Sequence, residues 1–272
     1  SIKLNSKNEE AYNLKAIILE NLNEDKKALE SWNKAIKIKP DYAEAYFNMA
    51  NYYNFNNNYE LSLHCYNKAI KINNKYFLAL VNRADLYYKN QRFEFALLDY
   101  DNLINLNPKI ARLYYSKASV LNYLGQYKGS ISSLNEVINL KPKFAKAFFL
   151  RGMIVWKQKL YKQALLDLEK SYSLKKNNYF LNSLIILKSI LCDWKNIENY
   201  QEKLINSIEN IKITEFPIFT QHFIDSPELE QKVSIAFNKN FKVFKKPKLN
   251  KKNKKIRVGY YSADFRNHAT SN

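Results

Sequence analysis

Two constellations of side chains in this chain could do chemistry. The first lies near its end. Ile256-Arg257-Val258-Gly259-Tyr260-Tyr261-Ser262 reads as a buried strand, and the residues from Ala263 to His268 as the turn after it. An imidazole held there suits general-base work, because its pKa lies near neutrality. On the residues alone, His268 reads equally as a turn histidine with no chemistry. Asp264 reads as a side chain that shapes the turn by bonding nearby backbone N–H groups. The second constellation is polar. Asn48 and Asn82 stand 34 residues apart, and Asn51 and Asp85 follow them three residues on. An amide side chain has one acceptor and two donors. It can therefore pair with both the C=O and the N–H of an extended peptide without reading its sequence. The plain alternative is a solvated helix face in a chain rich in asparagine. Other chemistries find no footing. His64 and His222 are isolated, no Cys/His/Asp group has metal-ligand spacing, and Gly259 belongs to no glycine-rich phosphate loop. Cys65 and Cys192 are too far apart to suggest a disulfide framework and are expected as two thiols in packed helices.

The elements that must position the amides announce themselves by period. Pro40, Asn74, Pro108, Pro142 and Lys176 are spaced by 34, as are Ala16, Ala50, Ala84, Ala118 and Gly152. So are Tyr12, Tyr46, Leu80, Tyr114 and Phe148. Two more sets are Trp32, Tyr66, Tyr100, Leu134, Leu168 and Ala28, Ser62, Ala96, Ser130, Ala164. Five positions kept in register over five repeats resemble the tetratricopeptide repeat, with units at 9–42, 43–76, 77–110, 111–144 and 145–178. Each unit is expected as two antiparallel helices. Small residues such as Ala50 and Ala84 let the helices approach, and Tyr46 and Tyr66 fill the space between them. Proline ends the second helix, because it cannot extend the hydrogen-bond ladder. One unit cannot bury its apolar face alone, so stacking is expected to give an all-α, right-handed superhelix with a concave groove. The aromatic stripe is then core. Residues 1–8 match the end of a further repeat, with Ser6 in the proline position, so the chain is expected to start within a repeat.

The rest is bounded by composition. Four Gly and six Pro in 272 residues argue against a sheet-rich fold. No apolar run reaches the roughly 18–20 residues that a membrane span needs, and Ser1 to Asn8 has no apolar leader segment. A cytoplasmic protein is expected. The net charge is +19, and the stretch from Lys239 to Arg257 holds ten basic residues and no acid. That run reads as a solvated linker, with no aromatic interleaving to suggest nucleic acid. A helical connector and this basic linker are expected to fill 179–255. The connector has an apolar helix from Asn182 to Leu191, then Cys192-Asp193-Trp194, then a helix from about Ile197 to Asn210. A further helix starts at Ser226-Pro227, where serine can cap and proline can open it.

The order of these parts is similar to that of the O-linked N-acetylglucosamine transferases. Repeats are followed by Cys192-Asp193-Trp194, then Asp225-Ser226-Pro227, then Ile256 to His268. What the resemblance implies is a GT-B catalytic domain beginning at 256–272. The reaction would be inverting and metal-independent, moving N-acetylglucosamine from UDP-GlcNAc to Ser or Thr hydroxyls of acceptor proteins with no cofactor. His268 matches the active-site histidine of that family, as base or as positioning residue. The family's asparagine ladder, which takes acceptor peptides, matches Asn48 and Asn82, while Leu14, Ser116 and Leu150 depart from it. Ala269 also departs, where the family carries proline. The nucleotide-sugar lobe would lie after Asn272, so these 272 residues alone are expected to be inactive. A sister transferase with another sugar nucleotide, or a non-catalytic protein-binding scaffold, are the alternatives.

Overall fold

Apolar residues at helical spacing face one way in every segment of the repeat region, and each such segment is a helix. The structure, a computed structural model, describes residues 8–209. Six helix pairs follow one another. They are α1 (Glu9–Asn21) with α2 (Asp25–Ile38), α3 (Ala43–Phe55) with α4 (Tyr59–Ile72), and α5 (Phe77–Lys89) with α6 (Phe93–Leu106). Then come α7 (Ala111–Tyr123) with α8 (Tyr127–Leu140), α9 (Ala145–Lys157) with α10 (Tyr161–Leu174), and α11 (Asn178–Ile190) with α12 (Ile197–Glu209). Among the described residues there is no strand. The expected strand 256–262, the helix at Ser226-Pro227, the basic linker, Asp264, His222 and His268 lie outside the described residues, as do residues 1–7.

The turn inside each pair was not legible in the 34-residue pattern. Asn23, Asn57, Gln91, Gly125 and Lys159 all have φ between 56° and 72°, the left-handed region. Each sits just past the end of a first helix. The N–H of the next residue reaches back to a carbonyl five earlier, as in Glu24 to Leu19 at 2.8 Å and Gln126 to Leu121 at 2.8 Å. This is the Schellman arrangement, which satisfies the last carbonyls of the helix. Only one of the five is glycine, although glycine alone adopts this conformation without steric cost. The second helices end two residues before Pro40, Pro108 and Pro142. They end in the same register before Asn74 and Lys176, so proline reinforces a stop that the repeat geometry already imposes.

The core runs down the middle of the stack. Ala16, Ala50, Ala84 and Ala118 have no exposed surface, and neither have Trp32, Tyr66, Leu134 and Leu168 opposite them. Gly152 continues the alanine series. A Cβ there would come within 3.1 Å of Asp167 Cβ and 3.2 Å of Leu168 Cδ2, so α9 and α10 meet too closely for alanine without adjustment. In the second and fourth repeats serine fills the small site on the second helix. Ser62 Oγ donates to the Ala50 carbonyl at 2.9 Å and Ser130 Oγ to the Ala118 carbonyl at 2.7 Å, each across the pair. The hydroxyls are thereby buried with a partner, as buried polar groups must be.

The connector departs from expectation. Helix α11 starts at Asn178, four residues before the expected Asn182, because Asn177 caps it. The Asn177 side chain accepts from the N–H groups of Tyr179 and Phe180. Helix α11 therefore packs against α10 nearly in the register of a further first helix, and a longer turn over 191–196 leads to α12. Cys65 is buried as expected, but Cys192 is exposed. It occupies the left-handed position of that turn, with φ 52°, rather than a packed helix. Asp193 anchors the turn by accepting from the buried Lys188 ammonium at 2.5 Å and from the Lys195 N–H at 3.2 Å.

Candidate peptide-binding groove

The first helices supply the polar face, and their register puts matching side chains side by side. Residues four apart on one helix share a face. Repeats bring residues roughly 31–35 apart into contact between neighbouring first helices. Asn82 Nδ2 donates to Asn51 Oδ1 at 2.8 Å. Asn48 Nδ2 donates to Asn13 Oδ1 at 3.0 Å. Thus Asn51 pairs with the next repeat's ladder residue, and Asn48 pairs not with Asn51 but with the preceding repeat.

The oxygens that receive these amides also anchor the core aromatics. Asn13 Oδ1 accepts from the Trp32 indole N–H at 3.1 Å. Asn51 Oδ1 accepts from the Tyr66 hydroxyl at 2.6 Å, and Asp85 Oδ1 from the Tyr100 hydroxyl at 2.5 Å. Burial raises the pKa of both phenols, and for Tyr100 the hydrogen bond to Asp85 raises it further. Both hydroxyls therefore stay protonated donors across the ordinary pH range. Asn51 and Asp85 are in this way committed to the scaffold. Asn48 and Asn82 each spend one N–H on the preceding repeat. Each keeps its carbonyl and its second N–H on a half-buried side chain.

A second polar row links the repeats. Arg83 reaches from α5 to Asn67 Oδ1 of the preceding repeat at 2.7 Å, and holds Asp99 with two bonds of 2.8 and 2.6 Å. Arg151 repeats this with Asn135 at 2.6 Å and Asp167 at 2.8 and 2.7 Å. Between them Lys117 pairs with Asp101 at 2.6 Å, and at the last joint Lys188 pairs with Glu169 at 3.4 Å. Each base lies on a first helix and reaches the preceding second helix, so the rigidity of the polar face comes from joint after joint.

Sequence reasoning named Asn48, Asn51, Asn82 and Asp85 but not Asn13, which replaces the apolar residue of later repeats, nor the Tyr66 and Tyr100 hydroxyl anchors. The readable signal was the buried aromatic in the second helices of the first three repeats, Trp32, Tyr66 and Tyr100, since a buried indole N–H or phenol requires a partner. Among the described residues no group of three His, Cys, Asp or Glu side chains could hold a metal ion, and no helix is long and apolar enough to cross a membrane. The arrangement offers hydrogen-bonding groups on a rigid face, which is the equipment of a binding surface.

Comparison with known proteins bears on the same segments. The family described as TPR repeat matches residues 21–54, and the tetratricopeptide repeat matches residues 43–76 and 111–144. No curated protein sequence matches the chain. The solved structure of YrrB, titled as a TPR protein with an unusual peptide-binding site, is similar over 66% of this chain and 92% of its own, with 21% identity and a TM-score of 0.59. Pseudomonas aeruginosa PilF is similar over 84% of this chain and 96% of its own, with 16% identity and a TM-score of 0.58. A fragment of MamA from Desulfovibrio magneticus is similar over 62% and 95%, with 17% identity and a TM-score of 0.56. Identities this low speak for the fold. The described residues form an all-helical tetratricopeptide-repeat superhelix, a fold that serves as a scaffold for peptide or protein partners.

Proposed function

We propose that the first-helix face of this superhelix holds extended protein segments through contacts to their backbone, with Asn48 and Asn82 as the principal amides. One observation carries this reading. Each amide is pinned by one N–H to the preceding repeat, yet retains a carbonyl and an N–H for a partner. A pinned amide loses little rotamer freedom on binding, and preorganisation of that kind is what turns polar contacts into affinity. The test is fluorescence anisotropy with a library of extended peptides against the double variant Asn48→Ala/Asn82→Ala. Loss of about tenfold or more in affinity, equal to about 1.4 kcal/mol, is expected. Unchanged affinity for every peptide would reject the ladder.

A catalytic reading rests on sequence. Cys192-Asp193-Trp194 and the segment from Ile256 to His268 stand in the order found in O-linked N-acetylglucosamine transferases. On this reading the complete gene product moves N-acetylglucosamine from UDP-GlcNAc to Ser or Thr hydroxyls of segments held by the repeats. His268 then acts at the reacting hydroxyl. Label transfer from radioactive UDP-GlcNAc that collapses in His268→Ala supports it. Transfer from a different sugar nucleotide indicates a sister enzyme, and no transfer from any donor leaves the scaffold alone.

A further inference from the structure

One turn before the ladder, at the second residue of each first helix, stand Glu10, Glu44, Leu78, Arg112 and Lys146, each 34 residues from the next. All five are exposed, Leu78 by 54%. Four residues separate them from Leu14, Asn48, Asn82, Ser116 and Leu150, so they share the ladder's face. Contacts at two points fix this placement. Glu44 Oε1 accepts from Asn13, the residue that holds Asn48, at 3.5 Å. Arg112 lies 4.0 Å from Asp85. The row thus runs acid, acid, apolar, base, base along the groove.

Four of the first helices, α1, α3, α7 and α9, follow the same trend over their length. Helix α1 carries Glu9, Glu10 and Glu20 with Lys15 as its one base, Glu9 being paired with Lys39 at the end of α2, and α3 carries Glu44 with no base. Helices α7 and α9 carry no acid. Of their bases, Lys117 is taken by Asp101 and Arg151 by Asp167. Lys146 and Lys157 remain on the exposed surface, and Arg112 is exposed beside Asp85. The net charge of +19 hides this polarity.

We infer that the groove selects a bipolar partner: an extended segment with basic residues over the first two repeats, an apolar residue over the third, and acidic residues over the fourth and fifth. The inference rests on the groove reading above. Screening makes the pattern matter more than the total. At physiological salt the Debye length is about 8 Å, while neighbouring packed helices stand about 8–10 Å apart. Each end of the row therefore acts locally, and a uniformly charged partner gains at one end what it loses at the other. Complementary charges of this kind set orientation and register, which backbone-directed amides by themselves leave open. An extended chain advances about 3.3 Å per residue, so roughly one residue in three faces successive repeats.

The probe follows from that spacing. A fluorescein-labelled, serine-based peptide carries lysine at its first and fourth positions, leucine at its seventh, and glutamate at its tenth and thirteenth. Two controls replace the charged residues with lysine throughout or glutamate throughout. The bipolar peptide is expected to bind about tenfold tighter than either control, the scale of several exposed ion pairs, with the margin shrinking as salt rises. The variant Glu10→Lys/Glu44→Lys should then prefer the all-glutamate peptide, and Arg112→Glu/Lys146→Glu the all-lysine peptide. These sites are exposed, so circular dichroism should report an unchanged fold. Equal binding of all three peptides, or a ranking that ignores the reversals, overturns the bipolar inference and leaves the groove standing. Binding of none of the peptides overturns both.

Discussion

Repeats three and five are held by a buried ion pair where repeats two and four are held by a hydroxyl. Arg83 and Arg151 each grip an aspartate, Asp99 or Asp167, whose side chain is 4% or 7% exposed. In the neighbouring repeats the corresponding aspartate positions hold Cys65 and Ser133, and Ser62 and Ser130 instead tie the two helices through a backbone carbonyl. Over repeats two to five the alternation has a period of two, while repeat one has Ser31 at the aspartate position and no such pair. It teaches that the repeat fixes a place and a direction, while the chemistry filling the place is free to vary. It also separates two kinds of polar contact. Removing one member of a buried ion pair strands a charge. Removing a serine hydroxyl leaves a carbonyl that is still bonded within its helix.

The widest gap should come from breaking those contacts. Asp99→Ala or Asp167→Ala is expected to cost about 3 kcal/mol, the lower end for a broken buried pair because the guanidinium is about one-fifth exposed. Ser62→Ala or Ser130→Ala should cost about 1 kcal/mol. Urea melts, with hydrogen exchange to localise the loss in a repeat array, measure both. Equal costs in the two sets would end the comparison.

A smaller contrast lies in the turns. Gly125→Ala should cost about 1 kcal/mol from left-handed backbone alone, because an added Cβ there meets nothing within 4 Å. Lys159→Gly, at the equivalent place one repeat on, should gain up to about 1 kcal/mol by removing the same strain. Thermal melts that move in the same direction for both substitutions would show that the turns are not equivalent.

The α11–α12 turn contrasts with the others in being tied by charge. Lys188 is raised above the ordinary lysine value: burial pulls it down, but its bonds to Asp193 and Glu169 outweigh that. Asp193 is lowered, chiefly by the bond from Lys188. A depressed carboxyl stabilises above its unfolded pKa and loses the effect as pH falls through its folded value. A raised lysine stabilises below its unfolded pKa and loses the effect as pH rises through its folded value. Amide protection over 188–195 should therefore be flat from about pH 5 to pH 10, the span between ordinary carboxyl and lysine pKa values, and should drop on the acid side below it. The Gly125 turn, without such a pair, should show no acid step. The mildest difference concerns the thiols. Burial pushes Cys65 up to about 11, so a thiol reagent should label Cys192 at once and Cys65 only on unfolding.

Much of the stack was readable because its pattern is repeated. Ala16 to Gly152 and Trp32 to Leu168 each state one packing position five times, and periodic burial leaves few folds open. The helix pair after residue 178 was harder. Its start depends on one cap, Asn177, and its turn on one buried lysine, neither of which is periodic. The ladder was half legible: the amides stood out, but their partners did not. Asn51 and Asp85 looked equal to Asn48 and Asn82, yet they serve Tyr66 and Tyr100. Contacts between residues about 15 and about 31 apart exist only once two helices have folded back and a third has stacked upon them.

The sequence by itself determined the repeat, its length, its helical pairs and the residue types of its core, because burial at a fixed spacing is a local property of the chain. Tertiary structure alone decided which amides are spent on the scaffold and which remain, that Cys192 is exposed while Cys65 is not, and that five second-position side chains form one row from acid to base. Those are matters of which neighbours share a hydrogen-bonding partner or a surface, and neighbours are set by stacking.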